Sequence, residues 1–178
     1  MLVWKWEEVE KVPFPCDRII FDQTFSMNTR KKRAHIIDEQ NIGVAIFVLD
    51  STQDKILLGK RKNSFRAGTW GVPAGRVGIT ESIEDAMKRE LCEETGIKPI
   101  KFEYLGVVRE YQKELSGSFI HYVFNCTKYS GEVTNVEPKK CEGWVWHDLK
   151  KLPKNILRGH KLALDLFTQK NHLVDYIG

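Results

Sequence analysis

Six acidic side chains stand within residues 75–97, "GRVGITESIEDAMKRELCEETGI", of a chain whose formal net charge is +4. Wound at about 100° per residue, residues 82–95 place Ile83, Ala86, Met87 and Leu91 in one apolar stripe. Glu84, Asp85, Lys88 and Arg89 fall on the flanks or the far side. Glu90 and Glu94, four residues apart, share the face of the stripe, and Glu93 lies at its edge. A carboxylate turned toward a core is disfavoured unless a positive charge meets it, and like charges side by side raise one another's pKa. A divalent cation answers both costs, and clustered carboxylates with water and phosphate oxygens suit magnesium or manganese. The bland alternative is a solvated helix end. Acids at a helix C-terminus oppose the macrodipole, which weighs against it.

The stretch "GVPAG" (71–75) lies just upstream of this helix. Its small residues let the backbone approach a ligand, and the free N–H groups of a helix start favour anions. Loop and carboxylates together point to a metal-bridged phosphate site.

These residues need a scaffold. "GVAIFVL" (43–49) is an unbroken apolar run and reads as a buried strand, with "KILLGKR" (55–61) as its neighbour across the turn "DSTQD". A loop follows, with a short strand at 70–72. The helix spans about 80–95: Thr80 or Ser82 caps its start, Gly96 suits the position after its end, and Pro99 stops it. "EYLGVVREYQ" and "SFIHYVFNCT" form a hairpin around Gly117, with Ile120, Tyr122, Phe124 and Cys126 on one face and Phe119, His121, Val123 and Asn125 on the other. A strand at 142–149, a turn broken at Pro153 and an amphipathic helix at 158–169 complete the chain. Such an alternation predicts an α/β fold, a mixed β-sheet covered by helices.

Residues 1–40 read differently, as an N-terminal extension before a domain at 41–178. The extension holds Trp4, Trp6, a strand at "RIIFDQTF" and a basic cluster at 30–33. With 178 residues, 42% of them hydrophobic and 29% charged, the chain has the composition of an ordinary soluble domain. No apolar run approaches the roughly 20 residues that span a bilayer, and the N-terminus has no secretory pattern, so the expectation is no membrane and cytoplasmic residence. The cysteines form no C-x-x-C pair that would suggest zinc.

The order Gly75, five residues, Glu81, seven residues, then "RELCEETGI" (89–97) resembles the complete Nudix box over 23 residues, with every defining position present. The resemblance implies a Nudix-type α/β/α sandwich, cleavage of a diphosphate bond in a nucleotide, and a requirement for Mg2+, with Mn2+ as a substitute. Carried over by position, Glu90, Glu93 and Glu94 hold metal, with the backbone carbonyl of Ala74 as a further ligand. Arg89 orients the carboxylates and Glu81 supports it. Glu93 or Glu94, or else a loop glutamate, is the proton acceptor. Beyond the box, "LLGKRKNSFRAGTWGVPAG", "HYVF" and "NVEPKKCEGWVWHDLKKLP" are similar to MutT-like nucleoside-triphosphate pyrophosphatases. There Arg61 is a candidate phosphate contact and Glu137 a candidate downstream metal or basic carboxylate. Trp144 and Trp146 face the same way, as base-stacking residues or as buried strand residues, and His121 reads as a half-buried strand residue. Ala74 stands where the family usually has glycine, Thr80 where it commonly has glycine, and Gly78 where many members carry an acid.

The implied reaction is attack of water on a nucleoside triphosphate, oxidised ones included, giving monophosphate and pyrophosphate. ADP-ribose, nucleotide sugars, dinucleoside polyphosphates and capped RNA are the competing substrates. The proline and tyrosine that mark the ADP-ribose and dinucleoside polyphosphate enzymes past the box are absent, since positions 112–115 are Gln, Lys, Glu and Leu. Lysines 139, 140, 150, 151 and 154 keep an RNA end in play. A non-catalytic nucleotide-binding module would be expected to lose box carboxylates, and this chain keeps them. The expected partner is a small nucleotide, and the protein a monomer or homodimer.

Overall fold

Apolar side chains are buried on both faces of the first strand, valine and isoleucine on one and alanine and phenylalanine on the other, which is why it carries no polar residue. In the computed structural model, which describes residues 41–113, 117–169 and 172–177, this is β1 (Ile42–Val48). It is followed by β2 (Lys55–Arg61), β3 (Trp70–Gly71), β4 (Ala74–Arg76), α1 (Ile83–Thr95), β5 (Lys98–Gln112), β6 (Gly117–Ser130), β7 (Cys141–Asp148), α2 (Arg158–Gln169) and β8 (Leu173–Tyr176). The extension, with its expected strand and basic cluster at 30–33, lies outside the described residues. No helix among the described residues is long and apolar enough to cross a membrane.

The strands form a five-stranded sheet, β4-β1-β6-β5-β8, and a three-stranded sheet, β3-β2-β7. The larger is mixed: β1 runs parallel to β6 and antiparallel to β4, while β5 is antiparallel to β6 and parallel to β8. Val44, Ile46 and Val48 of β1, with Leu57 of β2 and Phe124 of β6, pack on Ala86, Met87 and Leu91 of α1. Ala45, Phe47, Leu58 and Val123 pack on the other side with Ala163, Leu164 and Leu166 of α2. The layers are therefore helix, sheet, helix, as expected. The two faces read from the β6 sequence are also those observed.

Ser82 caps α1, its hydroxyl accepting the Asp85 N–H at 3.1 Å, an interaction worth about 1 kcal/mol. Gly96 ends the helix in the left-handed region, at φ 75. Three elements depart from expectation. β4 lies where the sequence predicts loop, and β8 where it predicts no strand. β5 starts at Lys98, so that Pro99, read only as a helix stop, sits within a strand whose register slips between Pro99 and Lys101.

Candidate functional site

Glu90, Glu93 and Glu94 leave the last turns of α1 toward β4, where an N–H, a bare Cα and a guanidinium receive them. Glu94 Oε2 accepts the Ala74 N–H at 3.1 Å. The Glu90 carboxylate lies against Gly75 so closely that a Cβ there would stand 1.9 Å from its carboxyl carbon. Any other residue at 75 would displace Glu90. Arg89 ties the group together: Nε and Nη2 grip both oxygens of Glu81 at 2.7 and 2.9 Å. Nη1 donates to Glu90 at 2.8 Å and to Glu93 at 3.0 Å, and Nη2 also donates to the Arg76 carbonyl at 3.0 Å. Glu81 in turn accepts the Gly78 N–H at 2.9 Å. Glu81 thus stands behind Arg89, one step from the open space.

The electrostatics follow the burial. The hydrogen bond from Arg89 holds Glu81 below the usual carboxylate range, and that same bond, with Glu90 adding to it, raises Arg89. Burial pushes Glu90 up despite Arg89, helped by the charges of Glu93 and Glu137. Glu94 is pushed up to about 8 by burial, with Glu90 and Glu137 adding to the rise and the Ala74 N–H opposing it. Metal-free, the face holds more negative charge than it can keep ionised.

These side chains form one wall of a cleft of about 370 Å³. Across it stand Arg61 at the end of β2, the turn Glu137 to Lys140, and Trp144 of β7. Arg61 Nε donates to the Phe65 carbonyl at 3.0 Å, and burial pulls its guanidinium below its ordinary value while Glu94 pulls it back up. The Trp144 indole lies over Gly59, where a Cβ would be 2.7 Å from the ring, and its Nε1 donates to the Glu94 carbonyl at 2.9 Å. Two more donors close the helix end: Val136 N–H to the Glu94 carbonyl at 3.3 Å and Thr134 N–H to the Thr95 carbonyl at 2.9 Å. The last carbonyls of α1 are therefore satisfied from the loop that leads to Glu137.

Of the residues singled out from the sequence, Arg61, Ala74, Arg89, Glu90, Glu93, Glu94, Glu137 and Trp144 line the cleft. Trp146 does not. It pairs with Leu57, two residues further along β7 than the Trp144–Gly59 pair, and like Trp144 packs against the α1-side core. His121 is on the α2 side, edge-on to His160. Two cations that line the cleft carried no sequence assignment to this site, Arg76 and Lys140. Lys140 stands three residues after Glu137 in "EPKK", a spacing that could have flagged the pair.

The NUDIX domain profile matches residues 39–167. The chain belongs to the Nudix family. It is 34% identical to an ADP-ribose pyrophosphatase of Methanocaldococcus jannaschii over 129 residues, 72% of this chain and 75% of the relative. It is 32% identical to an oxidized purine nucleoside triphosphate hydrolase of Danio rerio over 131 residues, 68% and 77% respectively. A MutT NUDIX hydrolase of Burkholderia pseudomallei, solved as a crystal structure, superposes with a TM-score of 0.66 at 32% identity, over 70% of this chain and 95% of that one. The protein is thus a hydrolase of the Nudix family, which generally uses divalent metal cations and acts on small nucleotide substrates.

The residues of this Nudix hydrolase fit such a cation. Every side-chain donor at the α1 wall is a hard carboxylate oxygen, and Gly75 leaves the space in which Glu90 rests. Among the described residues no three acidic, histidine or cysteine side chains are grouped so that they could hold a metal ion by themselves. Magnesium does not ask for such a group, since it keeps several waters and takes one or two carboxylates together with substrate phosphates.

Proposed function

We propose that the protein is a Mg2+-dependent pyrophosphohydrolase of nucleoside triphosphates, oxidised ones included, releasing nucleoside monophosphate and pyrophosphate. The observation that carries this reading is a single cleft in which Glu90, Glu93, Glu94 and Glu137 meet Arg61, Arg89 and Lys140. Acids alone would repel a polyphosphate and cations alone would leave nothing to activate water. The relative named an oxidized purine nucleoside triphosphate hydrolase supports the triphosphate as substrate.

Glu90, Glu93 and Glu94, with the Ala74 carbonyl, would hold the metal, Mn2+ serving in its place. Bound there, the cation supplies charge neutralisation of the polyphosphate and a water acidic enough to attack near neutral pH. Arg89 fixes the directions of Glu90 and Glu93, and Glu81 fixes Arg89. Water oxygen bonds to the β-phosphorus, the bond from that phosphorus to the α–β bridging oxygen breaks, and the monophosphate departs with the bridging oxygen. The proton lost by water passes to Glu93, Glu94 or Glu137.

A second reading, ADP-ribose as substrate, is favoured by the relative of that name at 34% identity. One experiment separates the two. A panel of nucleoside triphosphates, 8-oxo-purine triphosphates, ADP-ribose, a dinucleoside polyphosphate and capped RNA is incubated with Mg2+ in ¹⁸O water, and products are resolved by chromatography and mass spectrometry. Monophosphate with the label in pyrophosphate is expected, and chelation with EDTA should abolish it. Turnover of ADP-ribose alone would replace the first reading by the second, and no turnover of any panel member would remove both.

A further inference from the structure

The cations of the cleft are held very differently. Arg89 has Nε, Nη1 and Nη2 committed to Glu81, Glu90, Glu93 and the Arg76 carbonyl. Arg61 has its Nε on the Phe65 carbonyl. Lys140 has an exposed side chain, and among the described residues its ammonium meets one carboxylate, Glu137 Oε1, at 2.7 Å.

The backbone beneath that pair is fixed. The Glu137 carbonyl accepts the N–H groups of Lys140 and Cys141 at 2.9 and 3.0 Å. The Lys140 carbonyl accepts the Lys62 N–H at 2.7 Å, and Asn63 Nδ2 donates to the Lys139 carbonyl at 3.1 Å. The turn is therefore stitched to the loop after β2, while its two charged side chains remain free to change partner. An exposed ion pair of this kind is weak, a polyphosphate carries more negative charge than one carboxylate, and lysine presents three donors on a flexible stem.

Resting on the pyrophosphohydrolase reading above, we propose that Lys140 is a substrate-binding residue. Its ammonium leaves Glu137 for the polyphosphate when substrate enters, and this exchange releases the Glu137 carboxylate inside the cleft. The cleft thus resolves its own charge balance in two steps. Without substrate, Lys140 neutralises Glu137; with substrate, the phosphates take the lysine and the freed acid faces the metal-bearing wall.

The test compares Lys140→Met, Lys140→Arg and Glu137→Gln with the unmodified protein on whichever polyphosphate the latter turns over. Lys140→Met keeps every main-chain bond of the turn, and thermal melts check that it folds. It should raise KM about tenfold, a loss of one charge-assisted contact, with kcat within about threefold, because its Glu137 is already free. Arginine should bring KM back to within about threefold. Glu137→Gln should lower kcat without raising KM, because it liberates the lysine. A KM for Lys140→Met within twofold of the parent would overturn the proposal, and so would equal rises in KM for the Lys140→Met and Glu137→Gln variants, the signature of a pair that only braces the loop. If the parent hydrolyses nothing, the activity reading fails by itself. Calorimetry with inorganic triphosphate then tests Lys140 directly: about tenfold weaker binding by Lys140→Met supports the proposal, and equal or absent binding sinks it.

Discussion

The sheet buries titratable side chains on both of its faces, and the two groups are built on opposite terms. On the α1 side, Glu90 and Glu94 border a cleft, surrounded by further acids and by the guanidinium of Arg89. On the α2 side, Glu110 and His121 lie beneath the start of α2, which carries His160, and Gly159 lets the helix come close: a Cβ there would stand 2.9 Å from Glu110 Oε2. Glu110 takes Gln112 Nε2 at 3.0 Å and His160 Nδ1 accepts the Val72 N–H at 3.0 Å. Burial pushes the carboxylates of the first group up, Glu94 to about 8, and pulls the imidazoles of the second down, His121 to about 4 and His160 to about 3. Both shifts favour the neutral form. The difference is access: a carboxylate kept neutral beside an open cleft can be recharged by a cation arriving from solvent, whereas a neutral imidazole sealed under a helix is a packing residue.

The comparison breaks most visibly in catalysis. Glu94→Gln should cut turnover by about 10²–10⁴ while leaving the melting temperature near its original value. His160→Gln should do the reverse, costing stability and sparing kcat. A Glu94→Gln protein with near-native turnover would end the assignment of this face to chemistry.

A smaller effect is expected from Gly75→Ala. The new methyl would meet the end of the Glu90 side chain, which can swing away, so the fold should survive at a cost of about 1 kcal/mol. Glu90 would no longer rest where Arg89 now holds it. Mg2+ titrated against activity should show about tenfold weaker metal dependence, and an unchanged Mg2+ requirement would mean that Glu90 is not a ligand.

The subtlest prediction concerns pH. In metal-free protein, Glu94 has a folded pKa above its ordinary value of 4.5, so its contribution to stability is complete below about 4.5 and is lost as pH rises through 8. His160 has a folded pKa below its ordinary 6.5, so its contribution is present above 6.5 and is lost as pH falls toward 3. Each slope is about 1.4 kcal/mol per pH unit. His121, pulled down to about 4, acts in the same sense as His160. Urea midpoints in EDTA should therefore climb from pH 8 to 6.5, fall gently between 6.5 and 4.5 where two imidazoles outweigh Glu94, and fall more steeply below that. Glu94→Gln should remove the alkaline limb alone. A profile unaltered by that substitution would separate Glu94 from the shift assigned to it.

How much of this the sequence shows depends on how local each feature is. The α1 wall was readable because helix periodicity projects Glu90, Glu93 and Glu94 onto one side with no reference to the rest of the chain, and Ser82 and Gly96 mark the ends by their own chemistry. β4 was not, because "AGR" has no strand propensity and becomes a strand only by pairing Ala74 with Ala45 and Gly75 with Val44 of β1. β8 likewise exists through its pairing with β5. Trp146 and Trp144 are equivalent in an alternating pattern and both flank the α1-side core; only the strand's position relative to Gly59 brings Trp144 to the cleft as well. Lys140 belonged, in the sequence, with the surface lysines. Its place opposite α1 comes from a turn fastened to residues 62 and 63, which no local pattern announces.

One contact described at the helix end has a mechanical consequence. Because Val136 and Trp144 both hang from the Glu94 carbonyl, and Thr134 from that of Thr95, the segment before Glu137 is bolted to the very helix that carries the carboxylates. It cannot lift without stripping those terminal carbonyls of their donors, and the turn beyond it is tied down in the same way to residues 62 and 63. Substrate entry therefore moves side chains across a stationary anvil, not the chain beneath them.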